Sequence, residues 1–173
     1  EDADKKFQVY QAAEELIEEQ NLDDNIPDGL SGTLVKSWKN AVEDDIYAQL
    51  EKNIKRAVDN GDGTYDVSAI LTDEFLISTQ NKQAALCYQT ELTESLKDEM
   101  LSDYPDYKPA DDEEINKIIK LYIDTNSDSW GTETAFEGIK ADITNLITEY
   151  YNLAVYKSND NTEEGGLAEL DDT

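Results

Sequence analysis

Between residues 124 and 128 the chain reads Asp-Thr-Asn-Ser-Asp, so Asp124, Asn126 and Asp128 carry side-chain oxygens at alternate positions. Hard oxygen ligands at that spacing converge on a calcium ion when the backbone wraps around it. Asp59, Asp62 and Asp66, spread about a glycine-rich turn, form a second set of acids within reach of one cation. Both sets also have a plain structural reading, because Ser, Thr and Asp cap helices and Asp-Gly pairs build hairpin turns. Beyond them the catalytic equipment is thin. The chain has no histidine, and Arg56 is its only arginine, which removes the usual proton shuttle near neutral pH and leaves one bidentate clamp for phosphate or carboxylate. With 41 Asp and Glu, paired carboxylates occur everywhere and no pair stands out as the acid and base of a glycosidase. Nucleophilic triads fail for want of histidine, and a phosphate-cradling glycine loop is absent from the sequence. The expectation is a protein that binds and does not catalyse.

The 124–128 spacing resembles the first half of an EF-hand calcium loop. The second half departs from it: Ser129 stands where the sharp-turn glycine belongs and Ala135 where the bidentate glutamate belongs, with Glu133 and Glu137 the nearest substitutes. Cys87 is the only cysteine, so the chain forms no internal disulfide. Its setting, Ala-Ala-Leu-Cys-Tyr, lacks the cationic neighbour that activates a thiol and suits a buried structural one.

Fourteen Lys and Arg against the 41 acids leave a net charge of −27. Such a surface repels nucleic-acid phosphates and anionic lipid, so direct nucleic-acid binding is disfavoured, while a basic partner or a cation is permitted. The same charge keeps a secreted or surface protein soluble. No stretch approaches the roughly 20 apolar residues of a transmembrane helix. The opening Glu-Asp-Ala-Asp-Lys-Lys is what a mature exported chain shows after its leader is removed, and an excised domain looks the same. Membrane association is then expected only through a removed N-terminal anchor.

These residues need elements to position them, and the hydrophobic spacing supplies several. Lys5 to Glu19 reads as an amphipathic helix on Phe7, Tyr10, Leu16 and Ile17. Pro27, Gly29 and Gly32 mark a loop. A second helix from Thr33 carries Val35, Trp38, Val42, Ile46 and Leu50, reaching toward Ile54. Asn60-Gly61 and Asp62-Gly63 then form a turn, with Ile54 to Val58 and Tyr65 to Leu71 as the paired strands of a hairpin and a third strand near Phe75, Leu76 and Ile77. Helical spacing returns between Asn81 and Leu101 on Leu86, Leu92, Leu96 and Met100. It recurs from Asp111 to Ile123 on Ile115, Ile118, Ile119 and Tyr122, and in a last helix on Phe136, Ile139, Ile143, Leu146, Ile147 and Tyr150. Trp38, Trp130 and the tyrosine-rich stretches read as core in preference to an exposed carbohydrate-binding surface. The fold class expected is α+β: one helix-rich domain over residues 1–157, a small antiparallel hairpin or sheet packed by amphipathic helices, and an acidic disordered tail over 158–173.

Residues 60–67, Asn-Gly-Asp-Gly-Thr-Tyr-Asp-Val after a helix, resemble the hairpin phrase of uncharacterised Gram-positive lipoprotein ectodomains. The resemblance covers the first half of the chain, implies a cystatin-like or NTF2-like α+β unit exposed on a cell envelope, and carries over no functional residue. The helix-rich second half departs from a simple cystatin-like layout. The leading functional expectation is therefore a non-enzymatic extracytoplasmic binding or structural domain whose partner is an unidentified protein or envelope component. The alternative is an intracellular acidic inhibitor, a nucleic-acid mimic or immunity-type protein that presents carboxylates to a basic target.

Overall fold

In the computed structural model, which describes residues 2–30, 32–103, 112–131 and 136–160, one helix presents a continuous apolar ridge to the core. That helix, α2 (Gly32–Lys52), repeats an apolar residue every fourth position, and Trp38, Val42, Ile46 and Leu50 are each sealed from solvent. A four-residue step slightly overshoots the 3.6-residue turn, so the ridge runs along the helix inclined by about 26° to its axis. Against it pack α1 (Asp2–Gln20) and α3 (Asp73–Asp103), while α4 (Asp112–Asn126) and α5 (Glu137–Asp160) pack on α3 and on each other. The strands β1 (Val58–Asp59) and β2 (Tyr65–Asp66) form a two-stranded antiparallel hairpin, with Val58 opposite Asp66 and Asp59 opposite Tyr65. The class is helix-rich α+β. No helix among the described residues is long and apolar enough to cross a membrane.

The buried face of α1 differs from the one the spacing suggests. Val9 and Ala13 are fully buried, whereas Phe7 is 59% exposed. At 100° per residue Phe7 lies on the far side of the helix from Val9. Small side chains let α1 lie close to α2, and Tyr10 reaches across to stack on Tyr47 with ring centroids 5.6 Å apart.

The hairpin is shorter than expected on both sides. Ile54–Arg56 is a 3₁₀ turn, tied by the Ala57 N–H to the Ile54 carbonyl, so only Val58 of the first expected strand pairs. On the second side, the Asp66 carboxylate accepts the Ser68 N–H and the Val67 carbonyl accepts the N–H groups of both Ile70 and Leu71. The backbone therefore turns after Asp66, and Val67, Ile70 and Leu71 enter the core without strand alternation. The third strand near Phe75 is instead the first turn of α3. Thr72 caps that helix: its hydroxyl accepts the Phe75 N–H and its carbonyl accepts the Leu76 N–H, with Asp73 and Glu74 in the first turn where the helix dipole favours acids. A side-chain cap and two acids outweigh the strand preference of Phe-Leu-Ile.

At the far end α5 runs to Asp160, three residues past the expected boundary at 157, and residues 161–173 lie outside those described. Trp130 is 4% exposed, so both tryptophans are core. Tyr104 and Tyr107 lie outside the described residues.

Candidate functional site

The Asp124–Asp128 segment is helical. Asp124 and Asn126 occupy the last turn of α4, and Asp128 belongs to a 3₁₀ segment, Ser127–Gly131. Asp124 and Asp128 are exposed, while the Asn126 amide donates to the Tyr122 carbonyl at 2.7 Å and the Asn126 carbonyl accepts the Ser129 hydroxyl at 2.7 Å. These bonds close a helix end. Glu137 lies 3.3 Å from Lys140, and Glu133 and Ala135 fall outside the described residues.

The acids of the hairpin are occupied in the same way. Asp59 accepts the Gly61 N–H at 2.8 Å, Asp62 accepts the Thr64 N–H at 3.0 Å, and Asp66 accepts the Ser68 N–H at 2.8 Å. Hydrogen bonds from the Thr64 hydroxyl and N–H hold the Asp62 carboxyl below its ordinary pKa, and the Ser68 N–H does the same for Asp66. Gly61 and Gly63 take positive φ of 85° and 88° in the turn between. Among the described residues no three acidic or thiol side chains gather as metal ligands do.

Cys87 is half-buried on α3, its Sγ 3.9 Å from the Leu34 carbonyl, and burial raises its pKa. A thiol in that setting is held protonated and away from reagents.

A concave feature of this surface lies where the loop between α1 and α2 meets α3 and the start of α5. It is a cleft of about 440 Å³. Ile77 and Phe136 are among its apolar lining, with the sealed Trp38 bordering it from within the core, and Gln20, Asp28 and Gln80 are among its polar groups. Its walls are fixed from several sides. The Trp38 indole N–H donates to the Gln80 carbonyl at 3.0 Å, and the Asn81 amide donates to the Trp130 carbonyl at 2.9 Å. The Asn25 amide reaches back to the Gln20 carbonyl at 3.0 Å, and Lys39 pairs with Asp23 to tether the loop to α2. Gly29, at φ 94°, turns the loop past α5, where a Cβ would stand 3.4 Å from the Lys140 ammonium. Lys140 is itself engaged by Glu137 and lies over the Tyr88 ring.

Ligand clefts of this kind pair an apolar back with a few convergent polar groups and fall within about 300–1,000 Å³. The lining includes the carboxylates Asp24, Asp28 and Glu137 and no lysine or arginine, so it favours a neutral or cationic polar ligand over an anion. Sequence reasoning reads residues 21–32 only as loop chemistry. The available signal was Gln80-Asn81, polar residues within an otherwise apolar helical stripe.

Compared with protein-family models, curated proteins and solved structures, the chain matches none.

Proposed function

We propose that this chain is a non-enzymatic binding domain held outside the cytoplasm at a cell envelope, with the Trp38 cleft as its ligand-binding surface. One observation carries the binding half of the proposal: the cleft combines an apolar lining with the polar side chains of Gln20, Asp28 and Gln80, and its framework is held by the hydrogen bonds of Trp38 and Asn81 to backbone carbonyls. Preorganised polar groups of this kind bind without an ordering cost. Support for the location comes from the −27 charge, which keeps an exposed domain soluble and apart from its neighbours, and from the resemblance of residues 60–67 to lipoprotein ectodomains. The ligand class that fits is polar, neutral or cationic, and rich in hydrogen-bonding groups.

The test of location is to treat intact cells of the source with a protease that does not cross membranes and to follow the native protein. Cleavage without lysis is expected. Protection until lysis overturns the envelope reading and directs attention to a basic intracellular target captured at low salt. Binding in the cleft is tested separately, by following the Trp38 and Asn81 side-chain NMR signals against a panel of neutral and cationic glycans.

A further inference from the structure

A second groove, of about 340 Å³, lies on the opposite face of α3 from the Trp38 cleft. Asp45 and Lys52 of α2, Phe75, Thr79 and Lys82 of α3, and Asp128 of the 3₁₀ segment contribute to its lining. Its charges are mixed, and they are held in different ways. One carboxylate is fixed: Asp45 Oδ2 accepts the Thr79 hydroxyl at 2.6 Å and the Gln83 amide at 2.7 Å, and Thr79 is only 3% exposed. Among the described residues both hydrogen bonds to this carboxylate go to Oδ2 and none to Oδ1. The lysines have no ion pair among the described residues. The ion pairs among the described residues belong to Lys6, Lys39 and Lys140, and neither Lys52 nor Lys82 pairs with Asp45 or Asp128 across the groove they share.

In a chain with 41 acids, two lysines that line the same groove as a fixed carboxylate select by exclusion as much as by attraction. A simple anion entering the groove meets Asp45 and Asp128. A simple cation meets Lys52 and Lys82. A small molecule carrying both charges close together satisfies each set, and half-buried Phe75 offers its side chain an apolar wall. We propose that this groove binds a free α-amino acid as its zwitterion, with the carboxylate on Lys52 and Lys82 and the ammonium on Asp45 and Asp128. This site is independent of the Trp38 cleft and of where the protein resides.

The test is calorimetric titration of the whole chain at low salt with phenylalanine, N-acetylphenylalanine and phenylalaninamide, followed by the other standard amino acids. Saturable binding of at least one free amino acid is expected, with its N-acetyl and amide derivatives each weaker by about tenfold or more, the scale of one lost charge-assisted contact. Lys82→Gln and Lys52→Gln are expected to weaken it by a similar factor while leaving the circular dichroism spectrum unchanged. Asp45→Asn removes the ammonium partner but also loosens Thr79, so the lysine variants carry the decision. Three results overturn the proposal: no binding by any free amino acid, derivatives binding as well as the parent, or affinity unmoved in both lysine variants.

Discussion

Three side chains at the packed interfaces of this protein send their hydrogen bonds to backbone carbonyls on a neighbouring element. Asn81 reaches Trp130, Trp38 reaches Gln80, and the Ser78 hydroxyl reaches the Ser127 carbonyl at 2.9 Å. Each bond contributes modestly, but losing a partner strands a desolvated group. Asn81→Ala is therefore expected to cost about 1–3 kcal/mol, measured by urea unfolding, and an unchanged midpoint would show that the Trp130 carbonyl finds a substitute. Cys87 gives a second expectation. Burial raises its pKa, so a thiol reagent at mildly alkaline pH should label the native protein slowly and the urea-unfolded protein at once; rapid native labelling contradicts the geometry. The calcium reading is tested at the same scale. With Asn126 closing the end of α4 and Asp124 and Asp128 exposed on helical turns, millimolar calcium should raise the melting temperature no more than magnesium does. A calcium-specific rise would mean that the segment unwinds to wrap the ion.

Which elements could be read from the sequence depended on whether one signal or two competed over the same residues. The ridge Trp38, Val42, Ile46 and Leu50 had no competitor, and α2 appears where its spacing puts it. Around residues 65–77 β-branched and aromatic residues argued for strands, while Asp66, Thr72, Asp73 and Glu74 argued for a turn and a helix start. The local hydrogen bonds of Asp66 and Thr72 decided it. The Trp38 cleft stayed hidden because the residues that shape it are far apart in sequence and ordinary one by one. Gly131 is a further position with no one-dimensional signal. It is buried, and a Cβ there would stand 2.8 Å from the Glu74 carbonyl oxygen, in the backbone of the first turn of α3. Gly131→Ala is expected to destabilise by about 1–3 kcal/mol through forced separation of the two elements. Gly138→Ala, with open space around it inside α5, should instead be neutral or stabilising. Equal effects at the two glycines would refute the close approach.

Over the whole molecule two electrostatic effects oppose each other as pH changes. Asp62 and Asp66 have folded pKa values below their ordinary one, so their hydrogen bonds support the hairpin fully at neutral pH and are lost as pH falls through those depressed values, below about 3.9. Both groups are exposed, which keeps that support local. Against it stands the net charge of −27, whose self-repulsion works against the compact state at neutral pH and fades as the bulk of the carboxylates protonate toward the isoelectric point near 4.1. Salt separates the two, because it screens repulsion between surface charges over a Debye length of about 10 Å at 0.1 M and leaves short hydrogen bonds in place. The melting temperature at pH 7 should therefore rise as sodium chloride is added, and this salt dependence should shrink toward zero near the isoelectric point. Below it, stability should fall at every salt concentration as Asp62 and Asp66 take up protons. A melting temperature at pH 7 that falls with salt would mean that ion pairs such as Lys6–Glu51, 3.0 Å apart, outweigh the repulsion of the excess acids, and the charge would then hold this fold together instead of straining it.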